Sequence, residues 1–551
     1  MESCLAFCRS ILLTVAASVS ITTAAVAQDT TRIFIRPTSE AADRMRLGQL
    51  AGDTTTLDAY LIRSPSMLLP RAAVKSGWTL NAIQPDFQLI NNTAIPFGPN
   101  TGAMWAERGV SWRLTAGLDL SRGRFRAVVA PDLWHMTNTP FDFTGPIGLY
   151  VNKPVPEIRY GNGFANIWYA QPYSADVPWR PGATPALRLW LGQSGAWYDT
   201  GPVEIGVTSE NMWWGPGIQN AIIMSDNAAG VPRIELRTAR PLSTRFGSFE
   251  ARWFVGALSE SQYFDTTKAN DVRSLAAAVV TWRPAFQPNL SLGFTRAVFA
   301  TSSGYGSVPF RWLDVFAATG HPANHPASDS TLTPGGRDQL FSLFGRWVLP
   351  SDGFEFYTEW ARQELPYSLH DLVTAPTRSH GYTLGLQYRT PVPITDPAYR
   401  LQFEVTTLEP SASARDRPEG VFYTSRRVIQ GYTELGKPIG AAIGPGSSSQ
   451  WLAIDRVWAT GSVGLTFNRV RWDEGVRAAR VWPGYLGDCN QDVSIIPGVR
   501  GGHSLGNGYL SADLQVADRL NYHFQNLSGC FGPDKVDVHN TTLSISFSPF
   551  R

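Results

Sequence analysis

Leu543-Ser544-Ile545-Ser546-Phe547-Ser548-Pro549-Phe550-Arg551 closes the chain. Leu543, Ile545 and Phe547 alternate with serines, so a strand here has one apolar and one polar face. Such a tail suits the last strand of a transmembrane β-barrel, whose apolar face meets lipid while the polar face meets the lumen. The same alternation recurs upstream. Trp112, Leu114, Ala116, Leu118 and Leu120 stand opposite Arg113, Thr115 and Asp119. Leu187, Leu189 and Leu191 stand opposite Arg188 and Trp190. The pattern continues through Phe249–Val255, Phe354–Trp360, Tyr382–Tyr388, Tyr399–Val405, Val463–Phe467 and Leu510–Val516. A soluble sandwich alternates too, but its second face is not rich in Arg and Glu. Enclosed charges must be paired or hydrated, and the polar lumen of a wide barrel allows both.

The rest of the chain fits an exported barrel. Arg9 precedes an apolar run from Ile11 to Val26 that ends in Ala25-Val26-Ala27. This reads as a signal peptide over 1–27, with Cys4 and Cys8 ahead of the apolar run. Residues 28–75 read as a periplasmic helical segment. Ser39–Leu50 is helix-forming with Gly52 as a stop, and Thr56–Ile62 is a second short helix ahead of Pro65. Residues 76–551 then form the barrel. Segments of about 10 residues between Gly, Pro, Asn and Asp clusters predict a closed antiparallel barrel of about 18 strands. Polar stretches over Phe141–Asn162, Thr319–Arg337, Leu408–Gly420, Gly436–Gln450 and Trp482–Gly508 read as surface loops. The chain's 19 Trp, 18 Tyr and 28 Phe suit the aromatic girdles of such a barrel. The expected location is the outer membrane of a Gram-negative-type cell. A net charge of +2 gives no reason to expect a nucleic-acid partner. Cys489 and Cys530, in an oxidising compartment, are expected to form one disulfide.

No catalytic or metal constellation emerges. His321 and His325 share the segment GHPANH, but Pro322 and Pro326 oppose a helix, and structural zinc takes four ligands. His503-Ser504 lies in GGHSLGNG, which reads as a loop without a strand-elbow nucleophile motif. Neither a catalytic residue nor a cofactor is expected.

Glu210–Pro232, ENMWWGPGIQNAIIMSDNAAGVP, stands apart from the strand texture. It resembles the outer-membrane capsule-assembly protein Wzi family through Trp213, Trp214, Gly215, Pro216 and Gly217, then Asn220, Ser225, Asn227 and Ala228. Gly431–Gly446 resembles a loop of that family at Gly436, Pro438, Ile439 and Gly440. The resemblance implies an 18-stranded barrel with a small periplasmic helical part. It also implies a non-enzymatic surface lectin that helps attach capsular polysaccharide. Read physically, Trp213 and Trp214 offer flat indole faces that stack on sugar rings. Asn220, Asp226 and Asn227 offer partners for hydroxyls. The run equally suits a folding element, a tight corner packed inside the barrel or at its rim. A porin for sugars or small solutes is the alternative reading. Expected partners are capsular or exopolysaccharide, outer-membrane lipid and the barrel-assembly machinery, with the chain acting as a monomer. Arg311, Arg426 and Arg427 are candidates for contact with acidic sugars at the loop rim.

Overall fold

A computed structural model of the protein describes residues 35–549 apart from 53–59, 69–76, 142–173, 266, 318–335, 364–367, 394, 412–419, 475–490 and 523–536. The expected signal peptide, the pair Cys489 and Cys530, His321, His325 and Phe550 lie outside the described residues.

Eighteen antiparallel strands follow one another in chain order and close into a barrel. They are β1 (Thr79–Asn92), β2 (Gly109–Arg122), β3 (Phe125–Val129 with Asp132–Met136) and β4 (Ala186–Trp190 with Gly195–Asp199). Next come β5 (Val203–Thr208), β6 (Arg233–Thr238 with Leu242–Thr244), β7 (Gly247–Ser259), β8 (Val272–Pro284) and β9 (Leu290–Thr301). Then follow β10 (Arg337–Leu349), β11 (Phe354–Arg362), β12 (His380–Arg389), β13 (Ala398–Thr407) and β14 (Ser448–Trp458). The last are β15 (Gly461–Trp472), β16 (Asp492–Leu505), β17 (Gly508–Leu520) and β18 (Val538–Pro549). The tail closes the barrel, pairing Phe547 with Phe87, Ile545 with Leu89 and Leu543 with Asn91 of β1. β3 is interrupted at Ala130-Pro131 because proline has no N–H to give the ladder. Both of its halves still pair with β2.

One end of the barrel carries short turns, such as Gly123-Arg124, Ala459-Thr460 and Gly506-Asn507. The other end carries the long connections, including 137–185 and 408–447. This asymmetry is characteristic of outer-membrane barrels. The alternating stretches face as expected. Leu187 and Leu189 are 60% and 68% exposed, whereas Arg113, Glu355, Gln387 and Arg400 are buried on the lumen side.

Two loop expectations change. GGHSLGNG is not a loop: Asp492–Leu505 is a 14-residue strand. A Cβ on Gly502 would sit 2.4 Å from the Tyr509 ring, so glycine makes room for a neighbouring aromatic rather than for a turn. Gly436–Gln450 is not a surface loop either. Its residues up to Ser447 are mostly buried, and β14 begins at Ser448.

The outward face of β7 and β8 carries small residues at Ala257, Ala276 and Ala278, which leave a depression. A 3₁₀ segment, Tyr305–Phe316, fills it with Val308, Val315 and Trp312. Trp253 Nε1 donates to the Trp312 carbonyl at 3.2 Å. Phe310 and Leu313 remain exposed, so the segment prolongs the apolar belt.

The leader helix α1 (Glu40–Leu50) forms as expected, with the Ser39 hydroxyl accepting from Ala42 N–H and acids at Glu40 and Asp43 in its first turn. It lies within the lumen. Arg46 Nε donates to Glu355 of β11 at 3.0 Å, and Asp43 pairs with Arg400 of β13. Arg44 reaches the Ala459 carbonyl at 3.2 Å and the Tyr509 hydroxyl at 3.0 Å, at the short-turn end. Of the second expected helix, 56–59 lie outside the described residues, and Tyr60–Ile62 is not helical. Ile62–Arg63 is extended and pairs with Trp213–Trp214, while the helical turn is Pro65–Leu68, with proline at its first position.

Glu355 is shared between Arg46 of the leader and Arg346 of β10, both buried. Arg46→Ala removes one partner and leaves the other. It should weaken docking of α1 by about 2 kcal/mol. Limited proteolysis of the leader in folded protein measures this, and wild-type resistance would contradict it.

Candidate functional site

Two connections fold inward from the long-loop end and meet in the lumen. One is 209–232 between β5 and β6, and the other is 420–447 between β13 and β14. Together with residues 61–67 of the leader they build an apolar core of Leu61, Ile62, Met212, Trp214, Ile222 and Tyr432, among others.

The Trp run anchors this plug. Arg63 pairs with Trp213 and Ile62 with Trp214, and Trp214 N–H also donates to the Met224 carbonyl at 3.0 Å. Trp213 Nε1 closes the turn on the Gly217 carbonyl at 3.1 Å. Arg63 stacks over the Trp213 ring at 5.2 Å. The turn requires glycine. Gly215 has φ +99°, and a Cβ on Gly217 would lie 1.9 Å from the Asn220 carbonyl oxygen.

Wall carboxylates hold the same turn. Glu404 of β13 accepts the backbone N–H groups of Gln219 at 3.1 Å and Asn220 at 2.8 Å, and also that of Ile218. Tyr357 of β11 donates its hydroxyl to Glu404 at 2.8 Å. Glu359 of β11 accepts Ile222 N–H at 3.1 Å. Backbone N–H groups left unpaired inside a barrel are costly, so these two inward acceptors fix the loop's path. The two plug loops are joined directly. Tyr423 hydroxyl donates to the Ile222 carbonyl at 2.6 Å, Tyr432 hydroxyl to the Ile223 carbonyl at 3.0 Å, and Ser225 N–H to the Ile439 carbonyl at 3.0 Å.

All five residues put forward for sugar contact therefore come together in the plug. Trp213 and Trp214 are 1% and 0% exposed, and Asn220, Asp226 and Asn227 are buried too. Asn220 Nδ2 donates to Ser449 at 3.2 Å, and Asn227 Nδ2 to the Pro438 carbonyl at 2.9 Å. Asp226 accepts from Thr38 of the leader at 3.0 Å. Each polar group faces protein, and neither indole presents an open face. Of the basic candidates, Arg311 sits on the outer 3₁₀ segment, 3.5 Å from Asp314. Arg426 is exposed and Arg427 partly so, at the long-loop end.

A different aromatic group stands at that end. Asn138, at φ +49°, accepts from Arg180 Nε at 2.8 Å and donates to the Gly182 carbonyl at 3.0 Å. The Arg180 guanidinium lies 5.7 Å from the Phe141 ring centre. The Tyr263 ring packs beside bare Gly182. Phe141 and Tyr263, both partly exposed, thus lie beside the Arg180–Gly182 turn, which partly exposed Trp179 adjoins in sequence. The sequence signal was the segment Pro178-Trp179-Arg180-Pro181, a tryptophan and an arginine pinned between prolines.

Beneath the patch, Asp176, Glu260 and Glu434 form a latch between three connections. Asp176 accepts Ser261 N–H and hydroxyl, each at 2.7 Å. Glu434 accepts Ser259 N–H at 2.7 Å, and Gln430 Nε2 donates to Glu260. Burial pushes Asp176 up to about 6 despite its Ser261 bonds, and Glu434 and Glu260 up to about 8.

A closed barrel with an apolar belt, short turns at one end and long loops at the other is an outer-membrane β-barrel. The chain belongs to the capsule assembly protein Wzi family, whose sequence profile matches residues 187–468, about half of the chain. The protein lies in the cell outer membrane. One solved structure of similar shape is that of Wzi from Escherichia coli, an outer-membrane protein involved in group 1 capsule assembly and described as a carbohydrate-binding β-barrel. The two share 12% identity over 85% of each chain, with a TM-score of 0.51. Pseudomonas aeruginosa OccK7 aligns over 84% of this chain and 97% of its own, at 11% identity and a TM-score of 0.36. Acinetobacter baumannii OccAB2 aligns over 84% and 96%, at 10% identity and 0.39. No curated protein matches the sequence.

Two outcomes follow from the plug and its latch. Trp214→Ala, at a wholly buried site, should destabilise the protein by about 3–5 kcal/mol, measured as a lowered unfolding midpoint. An unchanged midpoint would contradict the packing described. The latch should respond to pH. Opened carboxyls release protons near pH ~4, so between that value and 8 the closed latch binds more protons than the open one. Its stability is full below pH ~4 and is lost as pH rises through 6 to 8. Amide exchange at 174–177, 259–261 and 430–434, corrected for intrinsic rate, should be faster at pH 9 than at pH 6. Equal protection at both would refute the latch.

Proposed function

We propose that the protein is a non-enzymatic outer-membrane lectin that engages capsular or other surface polysaccharide and helps attach or assemble it at the cell surface. Membership of the capsule assembly family supports this reading. The observation that carries it is the filled lumen: two inward loops and the leader occupy the space that a solute channel needs, held by Glu359, Glu404 and Glu355. Binding is then left to the long-loop surface. There, Phe141, Trp179 and Tyr263 are partly exposed near Arg180, and aromatic side chains with a charged group close by suit sugar rings. Each contact is weak, and a repetitive polymer supplies strength through avidity. Trp213 and Trp214 serve this function indirectly, as the packed corner of the plug. We read the chain as a monomer in outer-membrane lipid, delivered by the barrel-assembly machinery through its closing strand.

The test is retention of the host's own surface polysaccharide by purified protein. Trp179→Ala with Tyr263→Ala should weaken retention by about 0.5–1.5 kcal/mol per lost ring, while barrel assembly stays intact. Retention unaltered in the double variant would move the site elsewhere. No retention by the wild type would defeat the lectin reading.

A further inference from the structure

The serines of the closing strand have a second use. Ser544, Ser546 and Ser548 occupy alternate positions of β18 and so share its lumen face. All three line a cavity of about 200 Å³ that lies between the start of the leader and the wall. It runs from mid-barrel to Ser462 and Ser548, near the short-turn rim. At ~30 Å³ per water it has room for about seven waters, the bulk of a single sugar ring.

Its lining leaves polar atoms unused. Arg36 spends Nε on Asp86 at 3.1 Å and Nη2 on Thr115 and Asp132. Arg36 Nη1 remains, and it finds no partner within the described protein. The same holds for Arg113 Nε, Gln88 Oε1 and Asp513 Oδ1. Arg36 and Arg113 are 2% and 3% exposed, so these are interior groups, and leaving one unmade costs about 1–3 kcal/mol. All four residues line the one cavity.

The lining as a whole mixes donors and acceptors, including the hydroxyls of Ser462, Ser511, Ser544, Ser546 and Ser548, and that selects the ligand. An anion would satisfy Arg36 and Arg113 but meet Asp513, Asp86 and Glu40 in the same lining. A cation would meet Arg36, Arg113, Arg400 and Arg500. Those arginines are already matched by carboxylates, as in Arg36 with Asp86 and Arg400 with Asp455. A hydroxyl both donates and accepts, so a neutral ring bearing several hydroxyls answers donors and acceptors together.

We propose that this cavity is a binding site for one small, neutral, polyhydroxylated molecule such as a single sugar ring, entered from the short-turn end. It lies at the opposite end from the aromatic patch and does not depend on the polysaccharide reading.

The experiment is calorimetric titration of purified full-length protein with glucose and galactose as neutral probes, and with glucuronate and inorganic phosphate as anionic ones. Saturable binding of at least one neutral sugar is expected, with anions at least fivefold weaker. Ser546→Leu fills the cavity beside Gln88, its cross-strand neighbour, and should reduce sugar binding at least tenfold, with polysaccharide retention unchanged. Should that variant fail to assemble, Asp513→Asn exchanges one acceptor for a donor at equal size and should weaken binding several-fold. No saturable sugar binding, preference for an anion, or binding unchanged in the variants would overturn the proposal. So would a high-resolution structure with sugar present that shows the cavity filled only by ordered water or by residues 28–34.

Discussion

Glu404 reaching from the wall to the backbone N–H groups of residues 218–220 is the contact on which the interior depends. A carboxylate facing a lumen needs water, a counter-charge or donors. Here the donors come from the protein's own loop, turned inward by Gly215 and Gly217. Glu359 repeats the arrangement at Ile222, and Glu355 at Arg46 of the leader. Much of the lumen's charge is thereby matched by chain segments, and the barrel becomes a casing around a plug.

The leader and the plug are one unit. Ile62–Arg63 pairs with Trp213–Trp214, and Ser66 donates its N–H to Glu210 at 2.9 Å. Arg233, Arg237 and Arg252 lie against Glu210 and Glu235, forming a buried ladder on which Ser64 and Ser66 rest. Loss of the leader would therefore take hydrogen-bond partners from this ladder, whose arginines and glutamates still match one another. That division suits a surface binder: a filled interior, an aromatic patch outside and a pH-sensitive latch between them.

How much could be read beforehand depended on where the determining partner lay. The outward period-two pattern was legible because lipid imposes it residue by residue, as at Leu187 and Leu189. The leader helix was legible from its Ser39 cap and its composition, but not its place inside the lumen, which Glu355 and Arg400 decide from more than 300 residues away. The run at Trp213-Trp214 was visibly special. Whether it faced sugar or core was not legible, because the wall groups that draw it in lie on β11 and β13. β16 read as a loop because Gly501 and Gly502 punctuate it, and Tyr509 on the next strand is what explains Gly502.

The central claim is that the lumen is closed by the protein's own chain. Conductance of the purified full-length protein in planar bilayers tests it most directly. The plugged barrel should pass no steady ohmic current at moderate voltage, and Glu404→Leu with Glu359→Leu, by releasing the 209–232 loop, should open one. A large, steady, ohmic conductance in the wild type would contradict the account.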